Sequence, residues 1–431
     1  MLLFAGRQIA SGQEVYDLSR CIQLGLERNF ALKVSRNNEQ IATNNYSIGN
    51  AGMLPVITSD NRFGGNIITT DDNYQDTEDA VSRNIHNTAG SAAINLGMDL
   101  FRGMQVQHTY DKLGVQSDLW SLNTRMEIEN LVSRIVAEYS YYIQQLILND
   151  NLAYAVSLSR ERVRIDEQRY LLGGASKLEL LQSTVYLNAD SSRHARQTEI
   201  LKTSQVRLNE LMVAEDLNAS FRLQDSAISI NENLIYNELL PLTLENNTSL
   251  LIASKNQVIT ELDYKIIQSR TYPYLTMSAG YGYNFYGFET GEISNRQTWG
   301  VNYGLTLGMT LFDGFNQRRE KSNARVAIEN KGFQYQEIEQ EIRADLLKIY
   351  YVYVNNIGLL RLEEQNLEVA RENLDIALER YKLGNLAGLE LREVQKSLLD
   401  AEERLISVKY QTKLAEISLQ LISGKIMEYL E

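Results

Sequence analysis

Disulfides and multi-cysteine metal sites are excluded at the outset, because the 431-residue chain holds one cysteine, Cys21. Ser19 and Arg20 precede it. An arginine directly before the cysteine argues against lipoprotein processing, so Cys21 reads as a small buried hydrophobe. Proline is almost missing: Pro55, Pro241 and Pro273 are the only three, against an average usage near about 5%, which favours long uninterrupted helices. Of the three histidines, His108 and His194 have no companion ligands at metal spacing, and no metal is expected. No apolar run approaches the roughly 20 residues of a transmembrane helix, although barrel strands hide in alternating patterns and remain open. Basic residues number 42 against 55 acidic ones, a formal charge of −13, which removes the electrostatic case for nucleic acid. Nucleophile motifs, phosphate loops and paired-histidine signatures are absent too, so neither an enzyme nor a cofactor is expected.

What is present is a core's worth of apolar residues, 44% of the chain, and an internal duplication. Residues 1–12, with Leu2 to Ala5 and Ala10-Ser11-Gly12, read as the possible tail of a truncated signal peptide. Asn29, Asn38, Pro55 and Gly64 recur 218 positions later as Asn247, Asn256, Pro273 and Gly282. The offset then becomes 211: Leu96-Gly97-Met98 returns as Leu307-Gly308-Met309, Tyr139 and Tyr142 as Tyr350 and Tyr353, and Arg169-Tyr170 as Arg380-Tyr381. Repeat 1 spans 13–213 and repeat 2 spans 234–424, with a linker at 214–233 and a tail at 425–431. The seven-residue difference falls around the acidic segment 69–87, which reads as a hairpin loop.

Periodicity predicts the same element order in each copy. Repeat 1 reads as a helix at 17–48, strands at about 54–68 and 88–101, a long helix at 103–170 and a helix at 175–212. Repeat 2 reads as a helix at 236–270, strands at 272–288 and 299–312, a long helix at 316–383 and a helix at 389–421. Leu346, Tyr353, Leu360, Leu367, Leu374 and Tyr381 stand seven apart, which is a coiled-coil seam. The copy-one equivalent, Ile135, Tyr142, Asn149, Val156, Val163 and Tyr170, is less clean. Tyr350, Tyr351 and Tyr353 read as packing between helices rather than as a ligand site.

From Trp299 to Leu311 the period becomes two, with Trp299, Val301, Tyr303, Leu305 and Leu307 alternating with Gly300, Asn302, Gly304, Thr306 and Gly308. A soluble sandwich also alternates. These strands, however, reach the roughly 9–11 residues that cross a bilayer when tilted, with aromatics at interface depth. Residues 103–170 as one helix would be about 100 Å long at roughly 1.5 Å per residue, so each copy can build a long two-rod hairpin with its strand pair at one end and a tight turn at the other. Four strands cannot close a membrane barrel, for which about eight are the minimum. Three chains would supply twelve, with pseudo-sixfold symmetry and a water-filled lumen lined by small and polar residues.

The doubled turn Arg-Tyr-x-Leu-Gly followed by Leu-Glu-Leu, at 169–180 and 380–391, and the strand-closing Leu311-Phe312-Asp313-Gly314-Phe315 resemble the TolC-like outer-membrane efflux proteins. The fold class implied is mainly α with a transmembrane β-barrel: a tandem repeat forming a long α-helical coiled-coil barrel, plus four strands per chain contributing to a 12-stranded trimeric barrel. The resemblance further implies a homotrimer in the lipid bilayer of the Gram-negative outer membrane. A periplasmic adaptor (membrane fusion) protein and an inner-membrane transporter would be its partners, and the chain would be the passive exit duct of a tripartite efflux or type I secretion system. By motif position Glu390 and Glu393, with Glu179 as the copy-one equivalent, would form acidic rings at a periplasmic gate. Glutamates at i and i+3 are also an ordinary solvated helix face. Leu178 and Leu386 replace polar gating partners of the family, which brings in Arg392 as a resting contact. Tyr170, Leu172, Gly173, Gly174, Tyr381, Leu383 and Gly384 would form the adaptor-docking tip turns. The competing reading is a soluble structural coiled-coil interaction protein with a small β-sheet.

Overall fold

The computed structural model describes residues 14–73, 75 and 80–430. The candidate signal segment 1–12 lies outside the described residues. Among those described, the order is β1 (Glu14–Tyr16), α1 (Leu18–Arg28), α2 (Phe30–Asn45), β2 (Val56–Asp72), β3 (Ala80–Arg102), α3 (Gln105–Leu171), α4 (Lys177–Leu211), β4 (Phe221–Leu223), α5 (Tyr236–Asn246), α6 (Thr248–Ser269), β5 (Tyr274–Gly287), β6 (Asn295–Gly308), α7 (Asn316–Lys382), α8 (Gly388–Ile422) and a 3-10 turn at Ile426–Leu430. The two compact units are not the two repeats. One takes residues up to 37 with 121–252 and 335–431, the other takes 38–120 and 253–334, so each draws on both copies.

The helix expected at 17–48 is broken at Asn29, and the one expected at 236–270 is broken at Asn247. Each asparagine ends one helix and starts the next. Asn29 N donates to Gly25 O at 2.9 Å while its Oδ1 accepts from Leu32 N at 3.1 Å. Asn247 N donates to Thr243 O at 3.0 Å, and its Oδ1 accepts from Ser249 N and Leu250 N at 3.0 and 3.2 Å. Its Nδ2 also donates to Ile422 O at 2.9 Å. A side chain that satisfies the orphan N–H groups of a new helix makes the break cheap.

The second unit is built around one antiparallel sheet in the order β2-β3-β5-β6. Residues 69–87 are not simply a loop: β2 continues to Asp72 and β3 begins at Ala80, with Asp71 paired to Val81 beyond an irregularity at Ile68/Thr70. Ladder bonds are made by backbone, so polar residues extend a strand wherever no apolar face has to be filled. The strand expected at 299–312 lies instead at Asn295–Gly308. It stops short because the chain leaves the ladder for the Gly314-Phe315 turn, where φ is 70° and 64°. Gly103 and Met104 repeat that turn at 58° and 68°. The register pairs Leu275 with Leu307, Met277 with Leu305, Tyr281 with Val301 and Tyr283 with Trp299, and Ile94 with Tyr281, so these large residues share one face. The opposite face carries Asn95, Gly280 and Asn302 in a row. A Cβ on Gly280 would stand 2.6 and 2.7 Å from the two amide oxygens, so both asparagine side chains would have to shift to admit one.

In the first unit every residue of the copy-two seam is buried, from Leu346 to Tyr381. Leu367, Leu374 and Tyr381 pack with Leu391 and Leu398 of α8. The copy-one seam departs after Tyr142: Asn149, Val156 and Val163 are half-buried and Tyr170 is exposed. The buried positions there are Ala155, Ser159, Arg162 and Asp166. Polar partners on α4 rotate α3 away from its apolar heptad, as the next section shows. Tyr353 donates to Asn231 O at 2.5 Å, and Tyr350 lies 5.4 Å from the Tyr236 ring. Cys21 is fully buried, and burial, followed by Asp17, pushes its thiol up to about 12. Neither the linker nor the tail is bare connection: β4 pairs in parallel with β1, and Ile426 enters the core. Replacing Asn247 with alanine removes the shared cap and the Ile422 contact. About 1–2 kcal/mol should be lost, read as a lower denaturation midpoint, while an unchanged midpoint would show that the break does not depend on the side chain.

Candidate functional site

Each long helix ends on a turn whose glycine must adopt positive φ, Gly173 at 76° and Gly384 at 77°. The closing bonds match: Gly174 N donates to Arg169 O at 2.7 Å and Asn385 N to Arg380 O at 2.8 Å. These are paired helix stops with a left-handed residue. Leu172 and Leu383 at their apices are 87% and 75% exposed. The starts of the following helices differ. Ser176 and Glu179 form a capping box on α4. The equivalent position before α8 is Ala387, which offers no cap.

Immediately inside the turns lies a buried polar cluster. Asp190 of α4, fully buried, accepts from Arg392 Nη1 and Nη2 of α8 at 2.7 and 2.8 Å and from Ser159 Oγ of α3 at 2.5 Å. Bidentate geometry of this kind is the strong form of the carboxylate–guanidinium bond, and the bond to Asp190 holds Arg392 above its ordinary range. The Tyr186 ring lies between two guanidinium groups, with those of Arg392 and Arg162 5.0 and 5.1 Å from its centroid. Tyr381 donates to Asp166. Burial first, then that bond, pushes its hydroxyl up to about 12. A polar cavity of about 680 Å³ adjoins the cluster, lined by Arg162, Asp166, Arg169 and residues of both turns.

Of the proposed gate residues, Glu179 and Glu390 line this one cavity, whereas Arg392 and Glu393 do not. Glu390 and Glu393 are exposed on α8. Glu179 is engaged by Ser176, its Oε2 accepting from the Ser176 N–H at 2.7 Å. Arg392 faces inward to Asp190 rather than toward a neighbouring acid. Among the expected docking residues, Tyr170, Leu172, Gly173, Gly174, Leu383 and Gly384 lie at the exposed turns. Tyr381 does not: it is only 2% exposed, because its position belongs to the buried heptad.

Residues 239–425 match the model of the outer membrane efflux protein family. The outer membrane protein TolC of Vibrio cholerae is 26% identical over 196 residues, 43% of this chain and 42% of that relative's length. A membrane protein from Pseudomonas aeruginosa superposes with a TM-score of 0.79 at 16% identity, covering 96% of this chain and 91% of the other. The outer membrane protein VceC from Vibrio cholerae gives 0.73 at 16% identity, covering 94% and 96%. Residues 239–425 are thus similar to the outer membrane efflux protein family, and the fold of the chain is the mainly helical, tandemly repeated architecture with a few strands that these solved structures share.

Periodicity and motifs in the sequence missed Asp190, Ser159, Arg162 and Asp166. A signal was available. Ser183, Asp190, Gln197 and Ser204 stand seven apart on α4, and all are buried. Gln197 Nε2 reaches Gln145 Oε1 at 2.8 Å, and Thr198 Oγ1 reaches Asn149 Oδ1 at 3.1 Å. The α3–α4 seam is a polar heptad, invisible to a search for apolar ones. Asp190→Ala would leave Arg392 buried without its carboxylate and should lower stability by about 3–5 kcal/mol. The double variant Asp190→Leu with Arg392→Met should recover most of that loss. Thermal unfolding of the unaltered protein, Asp190→Ala, Asp190→Leu, Arg392→Met and the double variant checks both, and additive effects of Asp190→Leu and Arg392→Met would mean that the pair is not coupled.

Proposed function

We propose that the chain is the outer-membrane exit duct of a tripartite efflux or type I secretion system, working as a homotrimer. The observation that carries this reading is the open sheet. Among the described residues the outer edges of β2 and β6 are unpaired, and Val301, Tyr303, Leu305 and Leu307 on β6 are each two-thirds exposed or more. β5 and β6 are 14 residues long, enough to cross a bilayer as tilted strands. In hydrocarbon an unpaired edge is not tolerated. Closing four strands with two further copies gives 4 × 3 = 12 strands, with the apolar face outward and the Asn95–Gly280–Asn302 face inward, where it suits water. A lumen of that kind conducts passively; it needs no catalytic group.

The exposed turns with Leu172 and Leu383 are proposed to dock the periplasmic adaptor, through which an inner-membrane transporter delivers substrate. Glu390 and Glu393 would line the opening as two rings of three carboxylates, attracting cations and repelling anions. Arg392 would act one step behind them, fixing the rotation of α8 on α4 through Asp190. Opening would follow from tighter adaptor binding to the open arrangement of these helices.

Fractionation should place the protein in outer membranes, and the detergent-solubilised particle should have about three times the 49.2 kDa chain mass; a soluble monomer would instead support the coiled-coil reading. In planar bilayers, Glu390→Ala with Glu393→Ala should reduce cation over anion preference several-fold. Unaltered reversal potentials would remove these two residues from the conduction path.

A further inference from the structure

Where the sheet of the second unit gives way to helices, its apolar face runs on into a cavity. The β3 ladder is irregular between Asp99 and Phe101, beyond which Phe101 pairs with Leu275. Leu275 pairs in turn with Leu307, and Met277 with Leu305, so Phe101 prolongs the face that these four residues share. The adjoining cavity, of about 250 Å³, has Phe101, Met104 and Tyr272 as apolar walls and Lys265, Gln268 and His108 as polar ones. The three apolar walls are 43%, 49% and 52% exposed.

The charge at this place is unmatched. Three other basic groups of the junction are neutralised: Arg102 by Asp99 at 2.9 Å, Lys112 by Asp263 at 2.6 Å and Arg270 by Glu320 at 3.1 Å. Lys265, exposed on α6, has no acidic partner among the described residues, and the cavity lining holds no carboxylate. The last carbonyls of α6 are already engaged, Gln268 O and Ser269 O accepting from Thr271 N and Tyr272 N at 3.1 Å each. In a chain of formal charge −13, a free ammonium beside an apolar wall is an exception. The second repeat places Phe312, Gly314 and Phe315 at the positions of Phe101, Gly103 and Met104, and Arg319 at that of His108. There the guanidinium lies 3.8 Å from Glu320, so the unmatched cation belongs to the first junction.

An apolar surface that ends in aromatic groups and one cation has the chemistry of a lipid boundary. The cavity falls below the roughly 300–1,000 Å³ of a small-molecule pocket, which suits a head group with its acyl chains lying outside on the sheet. One positive charge and no carboxylate suit a phosphodiester of single negative charge. A zwitterionic head group would bring an ammonium that nothing in the lining answers.

We propose that this cavity seats the head group of an anionic phospholipid, its phosphate on Lys265 and its acyl chains along the face that Phe101 prolongs. The inference rests on the bilayer reading of the sheet and names a lipid class for it.

The test is native mass spectrometry of the full-length protein in detergent, titrated with dioleoylphosphatidylglycerol, with dioleoylphosphatidylcholine or with sodium phosphate. Phosphatidylglycerol should be retained several-fold more tightly than phosphatidylcholine, and phosphate alone should not be retained. Lys265→Gln should weaken phosphatidylglycerol binding about fivefold, the worth of one basic residue against an anionic lipid, and leave phosphatidylcholine unaffected. Lys265→Arg should keep the preference. Lys202→Gln, which removes the same charge from an exposed position on α4, should change neither lipid, and matching thermal midpoints without lipid show that the loss is not a folding defect. The proposal is overturned if the two lipids bind alike, if phosphate binds as tightly as phosphatidylglycerol, or if Lys265→Gln behaves like Lys202→Gln. A protein that needs no detergent and binds neither lipid would fail the bilayer reading itself, whereas a detergent-dependent particle indifferent to the head group fails this inference alone.

Discussion

Unpaired backbone at the two sheet edges is the constraint on which the rest of the architecture turns. A strand edge in hydrocarbon leaves N–H and C=O groups with no water to satisfy them, at several kcal/mol each. A four-stranded sheet with free β2 and β6 edges is thus an incomplete object in a bilayer. Within the chain, β3 pairs with β5 across the boundary between the repeats. A junction between β6 of one copy and β2 of another would be the pseudo-equivalent of that pairing. In the proposed trimer the duplication would supply both halves of a closure rule, the same contact being made once inside the chain and once between chains.

The helical part follows a second constraint, the choice of what fills a heptad seam. Between α7 and α8 it is leucine and alanine. Between α3 and α4 it is serine, aspartate and glutamine, joined by Gln145–Gln197, Asn149–Thr198 and Ser159–Asp190 bonds. A buried ion pair such as Asp190–Arg392 contributes little net stability compared with apolar packing of the same volume. What it does contribute is rotational specificity, because a slip of α8 on α4 would strand a charge. The apolar seam stabilises its pair of helices, and the polar seam selects one arrangement of them.

Divergence between the copies is concentrated where the partners differ. The turns keep their glycines because positive φ excludes a Cβ at little cost only for that residue. The helix breaks at Asn29 and Asn247 keep the one side chain that serves both as stop and as start. The caps before α4 and α8 did not stay alike, and neither did the seams. Conformation is therefore shared between the repeats, while the chemistry at the tip is not.

Much of the fold was legible because its signals are local. Period-two alternation sorted the faces of β5 and β6, the apolar heptad named the core of α7, and the duplicated turn set the ends of the long helices to within two residues. The Asn29 and Asn247 breaks were visible only as a recurrence, since asparagine inside a helical pattern does not say whether it caps or simply faces solvent. The sequence by itself determined the element order and the strand faces, because those depend on spacing along one chain segment. Only the tertiary structure decided that α3 follows a polar seam and that Asp190 meets Arg392. These depend on how each helix is rotated against its neighbour. A buried polar heptad and a solvated one read identically until the partner helix is in place.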